Sequence, residues 1–367
     1  MRRCGNSWCA IPPICRAICD IVCKFKVQSS NENNKRINRY TMKHITILVP
    51  NEAVLASIDD PRYLFTAANE FLESAGRKPI FQVELVGLSR EVKLHRGSFT
   101  VHTDHLLSEI KTTDLIFVPA LFGDIEKALD ANREFIPWII KQYRQGAEVA
   151  SLCIGAFLLA STGLLNGKKC STHWRSANLF RAMFPEVNLV DDRIITEEQG
   201  LYSSGGANSY WNLLLYLLEK YTDREIAIIA SKVFAVEIDR KSQSAFIMFN
   251  GQKAHEDEHV RMAQEFIEKN VHDKISVEDL ATKFAIGKRN FERRFKKATN
   301  NTPVEYMQRV KIEAAKKDLE TSRKNVNEVM YDVGYTDTKA FRSVFKKITG
   351  LSPIDYRNKY SKIRVVV

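Results

Sequence analysis

The sequence has no uninterrupted apolar run of about 18 residues, the least a helix needs to cross a bilayer, so no membrane partner is expected. Cysteine is nearly missing from the body of the chain. Of seven, Cys4, Cys9, Cys15, Cys19 and Cys23 crowd into the start, and only Cys153 and Cys170 lie beyond. The crowded cluster includes no histidine and fits no common zinc spacing; His255 and His259 sit among acids that suit a solvated surface. Neither a metal nor a cofactor is expected. The apolar part of the N-terminal segment is broken by Pro12, Pro13, Arg16 and Asp20, which argues against a secretory signal. Acids are scarce at both ends. Residues 281–367 hold 21 Lys+Arg against 9 Asp+Glu, a net of +12, and residues 1–41 have a net of +6. With +11 for the whole chain, residues 42–280 carry about −7. This segregation points to a polyanion-binding module joined to an acidic domain.

What is present fits two domains and a tail: 367 residues, 44% hydrophobic and 27% charged, a soluble globular composition. Residues 1–41 read as a disordered or misassigned leader, because Met42 immediately precedes a strand-like run. From residue 42 to 222 short β-rich runs (44–49, 81–88, 114–120, 147–153) alternate with amphipathic stretches (63–74, 125–145, 156–161, 211–221). The strands are almost continuously apolar, as in a buried, largely parallel sheet, so this part reads as an α/β layered fold. Residues 223–258 read as a helical linker. Strands are then missing from Val260 until the short tail, and residues 259–360 read as all-α.

Shifting the C-terminal region by 50 positions exposes an internal repeat. Phe291, Phe295, Lys296, Lys297, Thr299, Pro303 and Tyr306 fall on Phe341, Phe345, Lys346, Lys347, Thr349, Pro353 and Tyr356. Each copy has boundary chemistry. Ser276 with Asp279 opens a helix through Phe284; Ala285 to Gly287 turn the chain into a helix over 288–298. The second copy has a helix over 327–333, a turn at 334–337 and a helix over 338–348. Thr302-Pro303 and Ser352-Pro353, each followed by an acid two residues on, start further helices, the first running to about Thr321. Phe291/Phe295 and Phe341/Phe345 lie four apart and face a core. Opposite them stand Lys288, Arg289, Asn290, Arg293, Arg294 and Lys297, and in the second copy Thr338, Lys339, Arg342, Ser343 and Lys346. These side chains suit guanine, adenine and phosphate, so double-stranded DNA is the expected partner, read in two successive major grooves. The run VGYTDTKAFRSVFKKITGLSPIDYR (333–357) resembles the signature of AraC/XylS-type transcription regulators, a resemblance that covers about residues 260–360 and departs from the pattern at Lys339, Gly287 and Met330.

In GAEVASLCIGAFLLASTGLLNGKKCSTHW (146–174) a strand ends at Cys153 and a helix follows at once. That is the form of a nucleophile elbow, where a helix N-terminus favours thiolate, and His173 is a candidate base. The stretch resembles ThiJ/PfpI-type, class I glutamine-amidotransferase-like domains. That resemblance implies a flavodoxin-like sandwich and an acid after the first strand, here Glu52; Ser57 to Pro61 depart from the pattern. Fusion to a tandem helix-turn-helix resembles the GlxA-like regulators. The expectation is therefore a cytoplasmic, homodimeric transcription regulator and not an enzyme, its α/β domain either sensing a small-molecule effector or mediating dimerisation, with Cys153, His173 and Glu52 as vestigial catalytic or ligand-pocket candidates. The competing reading is a cysteine-dependent hydrolase or amidase using Cys153 and His173.

Overall fold

The computed structural model describes residues 41–238, 242–253 and 255–361. The expected leader and its five cysteines, and the short tail, lie outside the described residues, apart from residue 41 and Ser361. The chain folds as two units, one up to Lys241 and a second from Ser242.

The first unit is built on β1 (Lys43–Val49), whose run HITILV lies between two parallel neighbours, β2 (Phe81–Gly87) and β6 (Leu115–Val118). A strand with helices on both faces must be apolar at every position, not at alternate ones. Ile45, Ile47 and Val49 enter one core and Leu48 the other; in β6, Leu115 and Phe117 take the first and Ile116 and Val118 the second. Beyond them lie β7 (Glu148–Ser151), β10 (Ile195–Glu198), β11 (Leu201–Ser204) and β5 (His105–Leu106), giving the order β10-β11-β7-β6-β1-β2-β5. Every pairing is parallel except β10 with β11.

Helices α1 (Ala56–Ser74), α6 (Tyr210–Tyr221) and α7 (Arg224–Val233) fill one face with Phe65, Phe71, Leu214, Leu217 and Ile226. The other is filled from α2 (Ile125–Ala131), α3 (Phe135–Arg144), α4 (Ala156–Ala160) and α5 (Ala177–Met183) by Ile125, Phe135, Ile139, Phe157 and Phe180. This is the doubly wound, flavodoxin-like sandwich. Short pairs β3 (Glu91–Leu94) with β4 (Phe99–His102), and β8 (Lys169–Cys170) with β9 (Asn188–Leu189), lie outside the main sheet.

The amphipathic stretch over 125–145 is two helices. Buried Asn132 interrupts it: its Nδ2 donates to Asn51 O and Ala128 O (2.9 and 2.7 Å), and its Oδ1 accepts from Asn51 N (2.8 Å). The expected linker over 223–258 also divides. Helix α7 buries Ile226, Ala227 and Ala230 in the first unit, whereas residues 244–249 pack on the second. The apolar stripe of α7 is the cause, since a linker would have exposed it.

The second unit is all helical: α8 (Glu258–Lys269), α9 (Val277–Lys283), α10 (Lys288–Thr299), α11 (Pro303–Thr321), α12 (Val326–Asp332), α13 (Thr338–Thr349) and α14 (Pro353–Tyr360). It has two small cores. Helix α11 serves both, giving Tyr306 and Met307 to the first and Ile312, Ala315 and Leu319 to the second.

Candidate DNA interface and the Cys153 turn

The two halves of the second unit set their helices by similar means. Ser276 caps α9, its Oγ accepting from Asp279 N (3.1 Å) while Ser276 N donates to Asp279 Oδ2 (2.9 Å). Asn325 and Glu328 do the same for α12. Four residues join α9 to α10, with Ala285 at φ 51°; five join α12 to α13, with Gly334 at φ 73°. A Cβ on Gly334 would stand 2.5 Å from His272 O, so the second turn admits only glycine. Helix α13 is capped by Asp337, which accepts from Lys339 N (2.7 Å) and Ala340 N (3.1 Å), whereas Gly287 gives α10 no side-chain cap.

One face of each helix is fixed in its core. Phe291 and Phe295 have ring centroids 5.5 Å apart, Phe341 and Phe345 5.7 Å, and each second ring meets a tyrosine, Tyr306 or Tyr356, edge-on. Lys288, Arg289, Asn290, Arg293 and Lys297 are exposed on α10, as are Lys339, Arg342, Ser343 and Lys346 on α13, with Thr338 half-buried. Three of these have protein partners: Lys288 pairs with Glu278, and Arg293 Nη2 donates to Asn290 Oδ1 (2.9 Å).

Arg294 departs from the sequence expectation. It is half-buried and forks onto Asp257, Nε to Oδ2 at 2.8 Å and Nη2 to Oδ1 at 2.7 Å, away from the open face. Its spacing of three residues from Phe291 and one from Phe295 puts it at the edge of the packed face. The sequence reading missed Glu292, which is half-buried and stands three residues from Arg289 and four from Lys288, beside the exposed basic side chains. Its counterpart in the repeat is Arg342, and that mismatch was the available signal.

In the first unit, β7 ends two residues before Cys153, which takes φ 54° and starts a short 3-10 turn into α4. Gly155 lets this turn sit on β6: a Cβ there would stand 2.5 Å from Pro119 O and nearer still to Val118 O. Cys153 N donates to Ser204 Oγ (3.2 Å), and Thr172 Oγ1 donates to Cys153 O (3.0 Å), which brings the residue preceding His173 against the turn. The elbow is thus present, but its thiol differs from expectation. Cys153 is 4% exposed, and burial pushes the thiol up to about 12, with only a partial offset from Ile154 N–H. The five-residue α4 is too weak a dipole to overcome that burial.

Burial, then the Arg175 charge, pulls His173 below the usual histidine range, and its Nδ1 accepts from Arg175 N (3.1 Å). Glu52 has an exposed side chain and φ 58°, with its carbonyl accepting from Phe122 N (2.6 Å). A group missed in the sequence is Asp60, whose Oδ2 accepts from Tyr210 Oη (2.6 Å) and Trp211 Nε1 (2.9 Å). Burial raises its carboxyl above the ordinary range against those two hydrogen bonds, and Tyr210 lies near enough to Cys153 that a thiolate there would oppose ionisation of its phenol.

Residues 280–359 match the helix-turn-helix domain family and residues 64–220 match the DJ-1/PfpI family. Among relatives, the HTH-type transcriptional regulator GbdR of Pseudomonas aeruginosa is 25% identical over 236 residues, 64% of each chain. The match therefore spans just under two thirds of that relative's length. The HTH-type transcriptional regulator CdhR of the same organism is 22% identical over 79% of this chain and 86% of its own. The bifunctional transcriptional activator/DNA repair enzyme AdaA of Bacillus subtilis is 35% identical over 106 residues, 29% of this chain and 50% of its own. The chain thus joins a segment that matches the DJ-1/PfpI family to one that matches the helix-turn-helix domain family.

Proposed function

We propose that the protein is a sequence-specific DNA-binding transcription regulator, and that its α/β unit governs DNA binding by taking up a small-molecule effector or by pairing with a second copy. The observation that carries this reading is the duplicated helix-turn-helix, in which α10 and α13 each bury two phenylalanines and expose a basic side. On this reading Lys288, Arg289, Asn290, Glu292, Arg293 and Lys297 face one stretch of duplex; Thr338, Lys339, Arg342, Ser343 and Lys346 face the next. Glu292 is suited to accept from cytosine N4, and the arginines to guanine. The relatives named as transcriptional regulators support the same reading. Cys153, His173 and Glu52, with Asp60 and Tyr210, stand in the region proposed for the effector.

The test is a binding titration of the full chain against fragments of its host genome and against random duplex at physiological salt. Selective binding is expected. Arg293→Gln and Arg342→Gln should each weaken it about tenfold or more and lower the slope of log K against log salt by about 1 where the arginine meets phosphate. Equal affinity for all fragments would remove the reading.

A second reading, a cysteine hydrolase, is favoured by the positive φ of Cys153 and opposed by its protonated, buried thiol. It requires turnover that vanishes in Cys153→Ala while DNA binding persists.

A further inference from the structure

We propose that Arg294 is a positioning residue, locked to Asp257 so that α10 is held at a fixed angle for reading DNA, and that it makes no phosphate contact of its own. The inference rests on the DNA-binding reading above and changes the role of one of its basic residues. Three observations carry it.

The first is the fork itself. Two parallel N–H···O bonds of 2.7 and 2.8 Å use both carboxylate oxygens and the planar edge of the guanidinium, the arrangement that fixes orientation as well as charge. The second is the repeat. Fifty residues on, the position of Arg294 is held by Val344, which packs against the second core. A place occupied by valine in one copy and by a paired arginine in the other faces the body of the unit in both. The third is where Asp257 sits. Its Oδ1 also accepts from Val260 N (3.2 Å) as the N-cap of α8, so one carboxylate anchors the first helix of the unit and clamps the recognition helix. His259 Nδ1 lies 3.5 Å from Arg294 Nη2 on the same side. Helix α10 has need of such a clamp, because its own N-terminus has no side-chain cap while α13 has Asp337.

A direct DNA contact and a positioning role give opposite results on the full chain. The probe is the duplex that the wild-type protein enriches from a random pool, titrated at several potassium chloride concentrations. Asp257→Asn removes a negative charge from a DNA-binding unit, which by electrostatics alone would tighten binding; with a clamp it loosens binding, by tenfold or more. Arg294→Gln should weaken binding by a similar factor without changing the salt slope, in contrast to Arg293→Gln. Hydrogen exchange on the free protein gives a readout independent of DNA. In Asp257→Asn the amides of α10 should exchange faster, and those of α13 should not. A lowered salt slope in Arg294→Gln, unchanged or tighter binding in Asp257→Asn, or unchanged exchange in α10 would overturn the clamp. If the wild-type protein enriches nothing, the DNA-binding reading falls and hydrogen exchange still decides the clamp.

Discussion

Cys153 holds a left-handed backbone that costs a non-glycine residue on the order of 1 kcal/mol, and it does so with its thiol shut from water. Cys170 is also buried, and burial pushes both thiols up to about 12 from an ordinary value of 9.0. The unfolded chain releases these protons near pH 9 and the folded chain keeps them to about pH 12. Through that window the native state binds more protons than the unfolded state, so stability falls as pH rises, by about 1.4 kcal/mol per pH unit for each thiol; below the window the term is flat. Tyrosines with raised values add a fall of the same sign, so the thiol part is isolated by comparison. Urea unfolding of the wild type should lose more stability between pH 8.5 and 10.5 (both roughly chosen to bracket the onset) than the Cys153→Ala/Cys170→Ala double variant. Equal losses would mean that the thiols ionise alike in both states.

At the scale of elements, legibility follows the distance between partners along the chain. A cap is written within about three residues, so Ser276 with Asp279, Thr302 with Glu305 and Ser352 with Asp355 can be read off as pairs, and the structure makes each of them. The start and end of α11 are legible for the same reason. Asn132, which splits one expected helix into α2 and α3, bonds to a residue 81 positions away. Asp257 meets Arg294 across 37 positions and Asp60 meets Tyr210 across 150. Nothing local marks such pairs. The β10–β11 hairpin is hidden differently: its turn, Gln199 and Gly200 with φ 55° and 76°, has the two left-handed residues of a type I′ turn without the usual Asn or Asp at the first. The caps also allow a measurement. Thr302→Ala and Ser352→Ala should each lower the unfolding free energy by about 1 kcal/mol, as lost N-caps do, with little change in the denaturant slope. Losses under about 0.3 kcal/mol in both would show that the prolines after them suffice.

Taken whole, the chain places its most basic stretch, residues 281–367, in the same unit as its duplicated helices, and that unit has one long element, α11, contributing to both of its cores. Its 19 residues measure about 28 Å, and one duplex turn is roughly 34 Å. The proposed recognition helices at either end of this connector then address two half-sites about one turn apart on one face of the DNA. Joint reading makes a demand on the DNA itself. Insertion of about 5 base pairs between the half-sites turns one of them to the far side of the duplex. One helix then loses its base contacts, each worth about 1–3 kcal/mol, and affinity should fall about a hundredfold. On the original spacing Arg342→Gln also weakens binding; on the lengthened site it should add almost nothing where α13 is the helix left unengaged, a non-additivity expected only of perturbations that remove the same contact. Restoring a full turn, with about 10 base pairs inserted, returns the right face but exceeds the reach of α11, so affinity should remain low. Unchanged affinity after either insertion would show that the two helices do not read one duplex together.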